Sequence, residues 1–353
     1  MAKSNKMRHL TFKDINLDDP FFDSLKESYE EFPKWFARKS EEKAYVTFED
    51  NNIFINGFLY LKREDGAMDD VIPIQADKKR LKVGTFKING RGTKYGDRFV
   101  KKILDTAVSQ DVDEVYLTIF DRHSSLISLI EKYGFEKRAT KTTINGEEDV
   151  YFKDMRNVKG NILLDYPLMQ TRGRNKYCLS IYPKYHTRLF PDSILNSETY
   201  DVIEDVSHTN SIPKIYVCSM FSAKVLAPGD IIVTYRTKDE QGSAHYRSVV
   251  TSVCVVEDVR FRLDFNNFEE LFSYANEYSV FDREDLSRMW DAGKDLIVIK
   301  MTYNIALTKR ITKKILMDDL GINPRYWGIF ALTDEQFKGI LERGETYENI
   351  IID

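Results

Sequence analysis

The chain has 353 residues, 42% of them hydrophobic and 13% aromatic, and a formal charge of −4. Such a chain is globular, long enough for two domains with a core in each, and no apolar run approaches the roughly 20 residues of a membrane-spanning helix. Basic and acidic side chains balance over residues 1–158, and acids slightly exceed bases beyond them. This excludes a polycation that holds nucleic acid by charge alone.

Met1 to Lys6 carries charge with no apolar run behind it, and so does not read as a secretory signal. Cys178, Cys218 and Cys254 are far apart and show neither metal-ligand spacing nor a pairing framework. Reduced core thiols in a cytoplasmic protein are expected. His208 and His245 have no companions at metal spacing, so no metal is expected.

Asp18-Asp19-Pro20 reads as a helix start, followed by Phe21, Phe22, Leu25 and Tyr29 on one face. Phe32-Pro33-Lys34-Trp35-Phe36 opens a second short helix. Ala44 to Phe48 and Ile53 to Leu61 read as a hairpin. Residues 63–79 are charged and irregular, and a loop is expected there. Leu81 to Ile88 alternates as a half-buried strand does. Asp97 to Gln110 carries Phe99, Val100, Ile103, Leu104 and Ala107 on one helical face. Glu114 to Phe120 is a further strand, and residues 124–133 form an amphipathic helix that stops at Gly134. Asn145-Gly146 turns a last hairpin that ends at Val150 to Met155.

Residues 159–175 lie in an aperiodic stretch and are expected to link a domain over 1–158 to one over 176–353. The second domain should be mainly β. Strands are expected at Lys176–Ile181, Ile215–Ser219, Asp230–Thr237, Ser248–Glu257 and Leu296–Thr302, with helices at 267–277, 282–291, 307–319 and 334–343.

The segment between strand and helix, Arg91-Gly92-Thr93-Lys94-Tyr95-Gly96, is the most informative. A turn of small and basic residues feeding a helix start is an anion site, because free N–H groups and the helix dipole both face the guest. A pyrophosphate is the expected guest. His123, at the start of the next helix, is either an acid–base group titrating near neutrality or a solvent-facing histidine. Tyr133 and Tyr116 are candidate acids or packing residues. Thr118, Asp121 and Arg122 either line the same cleft or form an ordinary strand and turn. In the second half, Arg174, Lys184, Tyr185 and Arg188 belong to a run of basic residues interleaved with aromatics. That composition suits RNA, by stacking and phosphate pairing, or else describes a charged linker. Tyr235 and Arg236 end a strand where a pocket would open, or are interior partners.

Over residues of about 8–155 the order of these elements resembles the GNAT N-acetyltransferase superfamily. Arg91-Gly92-Thr93-Lys94-Tyr95-Gly96 resembles its acyl-CoA pyrophosphate loop, and Leu129-Ile130-Glu131-Lys132-Tyr133-Gly134-Phe135 resembles the helix that closes on the thiol arm. Lys94 stands where a glycine is usual, Ile130 where many members have a tyrosine acid, and His123 where an asparagine is common. The resemblance implies an α/β domain with a mixed sheet and acetyl-CoA as cofactor. It assigns Thr85, Phe86, Lys87 and Arg91 to Gly96 to binding the cofactor, and leaves the acid–base roles to His123, Tyr133 and Tyr116. Pro228-Gly229-Asp230-Ile231-Ile232-Val233-Thr234-Tyr235-Arg236-Thr237 resembles part of the ASCH/PUA-like β-barrels, many of which bind RNA or modified bases. It implies a mainly β, barrel-like second domain with peripheral helices.

Together these resemblances imply an acetyl-CoA-dependent N-acetyltransferase acting on an amine linked to RNA, tRNA or a nucleobase, in the manner of a toxin. Two other readings stand beside it. One is a protein or small-molecule amine acetyltransferase whose second domain forms a homodimer. The other is a silent acyl-CoA-binding regulator.

Overall fold

A computed structural model describes residues 7–49, 53–89, 95–190, 211–238, 243–292 and 295–352. They form two compact units, and the chain passes from the first to the second between Asp165 and Tyr166. The stretch 159–175 holds a short helix, α5 (Ile162–Asp165), in the first unit and a two-residue strand, β8 (Met169–Gln170), in the second.

The first unit is built on one seven-stranded sheet. Its strands are β1 (Arg8–Thr11), β2 (Lys43–Phe48), β3 (Ile55–Met68), β4 (Gln75–Ile88), β5 (Glu114–Ile119), β6 (Glu136–Thr143) and β7 (Gly146–Asp154). Their order is β1-β2-β3-β4-β5-β7-β6. All neighbours are antiparallel except β4 and β5, whose parallel pairing requires a crossover. Helix α3 (Tyr95–Ser109) supplies it and buries Phe99, Val100, Ile103, Leu104 and Ala107, the face legible in its spacing. Of residues 63–79, only 69–74 are a loop, and the rest continue the two strands. β3 and β4 stay paired from Gly57↔Ile88 to Met68↔Gln75. Both sides of this extension are partly exposed, so its side chains are charged and no alternation of apolar residues marks it.

Helices α1 (Asp23–Ser28) and α2 (Phe32–Arg38) follow a short turn in which the Asp19 carboxylate accepts the Phe21 N–H at 2.9 Å. Phe12, Phe22, Phe36 and Phe58 pack edge to face beneath them. Helix α4 (Ser124–Lys132) follows β5 and ends before Gly134, whose φ of +80° suits a glycine. A Cβ there would stand 2.2 Å from the Leu164 carbonyl oxygen.

The second unit holds a six-stranded sheet of β9 (Lys176–Ile181), β10 (Pro213–Cys218), β11 (Ile231–Arg236), β12 (Val249–Phe261), β13 (Ile297–Thr312) and β14 (Ile329–Leu332). Its order is β10-β13-β12-β11-β9-β14, with β9 and β11 parallel. Among the described residues β10 and β14 end the sheet and do not pair with each other, so it is open where a closed barrel was expected. A two-residue strand, β15 (Ile351–Ile352), pairs with β8 apart from it. Around the sheets lie α6 (Pro183–Leu189), α7 (Ala244–Arg247), α8 (Phe268–Ala275), α9 (Arg283–Ala292), α10 (Lys313–Asp318) and α11 (Asp334–Arg343). Residues 307–312, expected to be helical, continue β13 against β12 as far as Thr312↔Val249. The helix begins only at Lys313, where the Thr312 hydroxyl accepts the Ile315 N–H at 3.4 Å.

Candidate active site

The first unit opens where β4 and β5 part. Their parallel pairing runs from Arg80↔Glu114 to Val83↔Leu117 and stops, although both strands continue. Gly84 to Ile88 therefore present an edge of backbone that β5 does not cover. Just at the parting, Tyr60↔Thr85 and Leu61↔Val83 leave Gly84 as the extra residue of a β-bulge. A Cβ on Gly84 would stand 2.6 Å from the Tyr60 ring, so a side chain is excluded where the strand bends.

The parting opens a cleft of about 1000 Å³, lined by Gly84, Thr85, Phe86, Lys87 and Ile88 on one wall and by Leu117 to Ile119 on the other. Two helix starts border it, Gly96 and Asp97 of α3 and Ser124 and Ser125 of α4. They meet closely: a Cβ on Gly96 would lie 2.6 Å from Leu129 Cδ2. Leu25, Tyr29, Phe32 and Trp35 close the cleft from the α1–α2 side. A bare strand edge in a cleft suits an extended amide-bearing arm, and the start of a long helix suits an anion.

Of the residues expected to hold the cofactor, Thr85, Phe86, Lys87 and Gly96 line this cleft. Tyr95 is the half-buried first residue of α3. Arg91, Gly92, Thr93 and Lys94 lie outside the described residues. The Lys87 ammonium donates to the Phe21 carbonyl and to Ser24 Oγ at 2.6 Å, tying β4 to the segment before and within α1. Burial lowers its pKa from the ordinary lysine value.

His123 also lines the cleft, immediately before α4, and its side chain makes no capping bond. Its pKa is lowered, first by burial and then by the Arg122 guanidinium; Glu148 opposes the shift and Lys87 adds to it. The imidazole is therefore neutral at pH 7 and able to accept a proton. Arg122 donates to Ser28 Oγ at 3.2 Å and lies over the Phe120 ring at 4.1 Å.

The two tyrosines proposed from sequence as acids sit elsewhere. Tyr133 is fully buried, and its hydroxyl donates to the Asp97 carboxylate. It is not among the residues that line the cleft, although Asp97 is. Tyr116 donates to Glu64 and lines a separate hollow with Arg80 and Lys82. It is likewise not among the residues that line the cleft, although Leu117, Thr118 and Ile119 of the same strand are. A tyrosine that sequence reasoning read only as a helix-face residue, Tyr29, does line the cleft, and its hydroxyl donates to Glu148 Oε1 at 2.7 Å. Burial, and then Glu148, raise its pKa. The sequence signal was weak, since Tyr29 and Glu148 are 119 positions apart.

In the second unit Arg174 and Lys184 are exposed, Lys184 over the Tyr185 ring at 5.3 Å. Tyr185 packs on Phe281 at 4.6 Å, and Arg188 is half-buried. Tyr235 and Arg236 are buried, Tyr235 against Trp327 at 5.0 Å, so neither forms an open mouth. Among the described residues no cluster of three or more His, Cys, Asp or Glu side chains could hold a metal ion. None of the described helices is long and apolar enough to cross a membrane.

No family model and no curated protein matches the chain. Several solved structures show local likeness. ASCH from Zymomonas mobilis is 10% identical over 47% of this chain and 94% of its own, with a TM-score of 0.33. The NatC complex bound to Gag peptide and CoA is 14% identical over 42% of this chain and 97% of that one, at 0.29. Arabidopsis thaliana Naa50 in complex with the bisubstrate analogue CoA-Ac-MVNAL is 21% identical over 31% and 72%, at 0.26. Each likeness covers under half of this chain at a low score, and the functional reading rests on the cleft itself.

Proposed function

We propose that the first unit is an acetyl-CoA-dependent N-acetyltransferase acting on an amine. The observation that carries the reading is the parting of β4 from β5 at the Gly84 bulge, which opens a large cleft between an uncovered strand edge and two helix starts. Acetyl-CoA, when bound, supplies a thioester whose acetyl group is transferred to the amine nitrogen. The uncovered backbone of Thr85 to Lys87 would hold the amide-bearing arm. The start of α3 at Tyr95 and Gly96, with Arg91 to Lys94 before it, would hold the pyrophosphate. A backbone amide at the bulge would polarise the thioester carbonyl. His123, neutral at pH 7, takes the proton from the acceptor amine. Tyr29 is kept protonated by its environment and serves as a fixed donor beside Glu148.

The RNA-linked acceptor expected from sequence draws support from the exposed Arg174 and Lys184 and none from the buried Tyr235 and Arg236. Isothermal titration of acetyl-CoA tests the central reading. Binding by the wild-type protein that is lost in Gly92→Glu, which sets a carboxylate against the pyrophosphate, is the expected result. Gly96 is the poorer position for this test, because any side chain there displaces Leu129. Absence of binding by the wild type would end the reading.

A further inference from the structure

Among the described residues, two carboxylates in this cleft have no ion-pair partner. Glu148, on β7, is 5% exposed, and one of its oxygens takes the Tyr29 hydroxyl. Glu31, between α1 and α2, accepts the Asn145 side-chain N–H at 2.9 Å on Oε1, while its Oε2 is buried without a hydrogen-bond partner. Both line the cleft, and the electrostatics of Tyr29 register both. Among the described residues neither forms an ion pair.

Elsewhere in the same unit buried acids are compensated. Glu114 meets Arg80 at 3.1 Å, Lys78 at 2.6 Å and Arg138 at 2.7 Å, and Asp97 meets Lys132 at 3.2 Å. A carboxylate withdrawn from water is costly unless a charge or several donors replace the solvent. Glu31 and Glu148 each have one neutral donor. The cations nearest in the cleft are committed elsewhere, Lys87 to Phe21 and Ser24, Arg122 to Ser28 and the Phe120 ring. The same lining carries apolar side chains, among them Leu25, Phe32 and Trp35.

We propose that the acceptor is an aliphatic diamine or polyamine: Glu31 and Glu148 hold one ammonium, the apolar wall takes the methylenes, and a second nitrogen is the one acetylated. This rests on the acetyl-transfer reading of the cleft. The reacting ammonium first gives a proton to His123. Its nitrogen then forms a bond to the thioester carbonyl carbon, the carbon–sulfur bond breaks, and the sulfur leaves with the electron pair and takes the second proton that the nitrogen gives up. The products are the N-acetyl amine, still cationic at its other nitrogen, and the free thiol.

The test uses the full chain with spermidine, and with butylamine as a monoamine that keeps one aminobutyl arm and lacks the further cations. Spermidine binding is followed calorimetrically with CoA present, and turnover by thiol release. The expected result is that spermidine binds and is acetylated, with butylamine at least about tenfold poorer in kcat/KM. Glu148→Gln, and separately Glu31→Gln, should weaken spermidine binding by about tenfold or more while CoA binding is kept. Each amide preserves an oxygen for Tyr29 or Asn145, so the fold is retained, and retained CoA binding reports it. Unchanged spermidine binding in both variants, equal use of butylamine, or turnover of an aminoacyl-tRNA but no diamine would overturn the proposal. Loss of CoA binding in the wild type would instead overturn the acetyl-transfer reading beneath it.

Discussion

His186 should make the second unit sensitive to acid, by an amount the structure allows to be worked out. Its ring is wholly buried, Nε2 shares a hydrogen bond of 2.8 Å with Thr251 Oγ1, and Nδ1 has no partner. Thr251 in turn contacts Thr234 at 3.0 Å, and Thr234 contacts Ser252 at 2.5 Å, a set of hydroxyls with no carboxylate to balance an imidazolium. Burial foremost, then Arg236 and Arg310, lower the pKa from 6.5 to about 3. Above pH 6.5 the ring is neutral in both the folded and the unfolded chain, and its contribution to stability is intact. As the pH falls below 6.5 the unfolded chain takes up a proton that the folded chain refuses, so stability falls until the folded ring titrates near 3. The loss amounts to about 2 kcal/mol at about pH 5 and approaches about 5 kcal/mol below the folded pKa. Urea unfolding of wild type and His186→Gln, at about pH 7.5 and about pH 5, isolates the term, because all other groups titrate alike in both proteins. The glutamine variant should lose about 2 kcal/mol less than wild type over this interval. Parallel losses in the two proteins would refute the assignment of a neutral imidazole with no countercharge.

Three further outcomes are expected. Gly134→Ala should cost about 2 kcal/mol or more in thermal unfolding, since φ is +80° and the new methyl meets the Leu164 carbonyl. His123→Ala should reduce kcat by about 10²- to 10⁴-fold and leave calorimetric CoA binding in place. In the wild type, kcat/KM should rise with pH through a value below 6.5, as the lowered pKa requires. Tyr133→Phe removes a hydroxyl bonded to the buried Asp97 and should cost about 1–3 kcal/mol of stability with kcat unaltered; a large fall in kcat at unchanged stability would return Tyr133 to the chemistry.

Local periodicity and turn chemistry were enough to find much of the first unit. The apolar stripe of α3, the glycine that stops α4 and the Asn145-Gly146 turn are set by residues within a few positions of one another. The same local reading failed where one pattern serves two structures. The hairpin extension over 63–79 is exposed on both sides and has no apolar face to show. Thr308 to Thr312 is basic like a solvated helix, yet it continues β13, with Ile311 and Thr312 paired to Val250 and Val249 of β12.

The site divides along the same line. Thr85, Phe86 and Lys87, which the resemblance assigned to the cofactor, line the cleft. Where the hydroxyls point was not legible. Tyr133 and Tyr116 are drawn away by Asp97 and Glu64, while Tyr29, Glu31, Asn145 and Glu148 converge from opposite ends of the unit. The sequence by itself determined the elements and the turn chemistry, because these follow from neighbours along the chain. Only the tertiary structure decided which carboxylates are compensated and which face the cleft, because a buried charge is balanced by whatever the fold brings beside it in space.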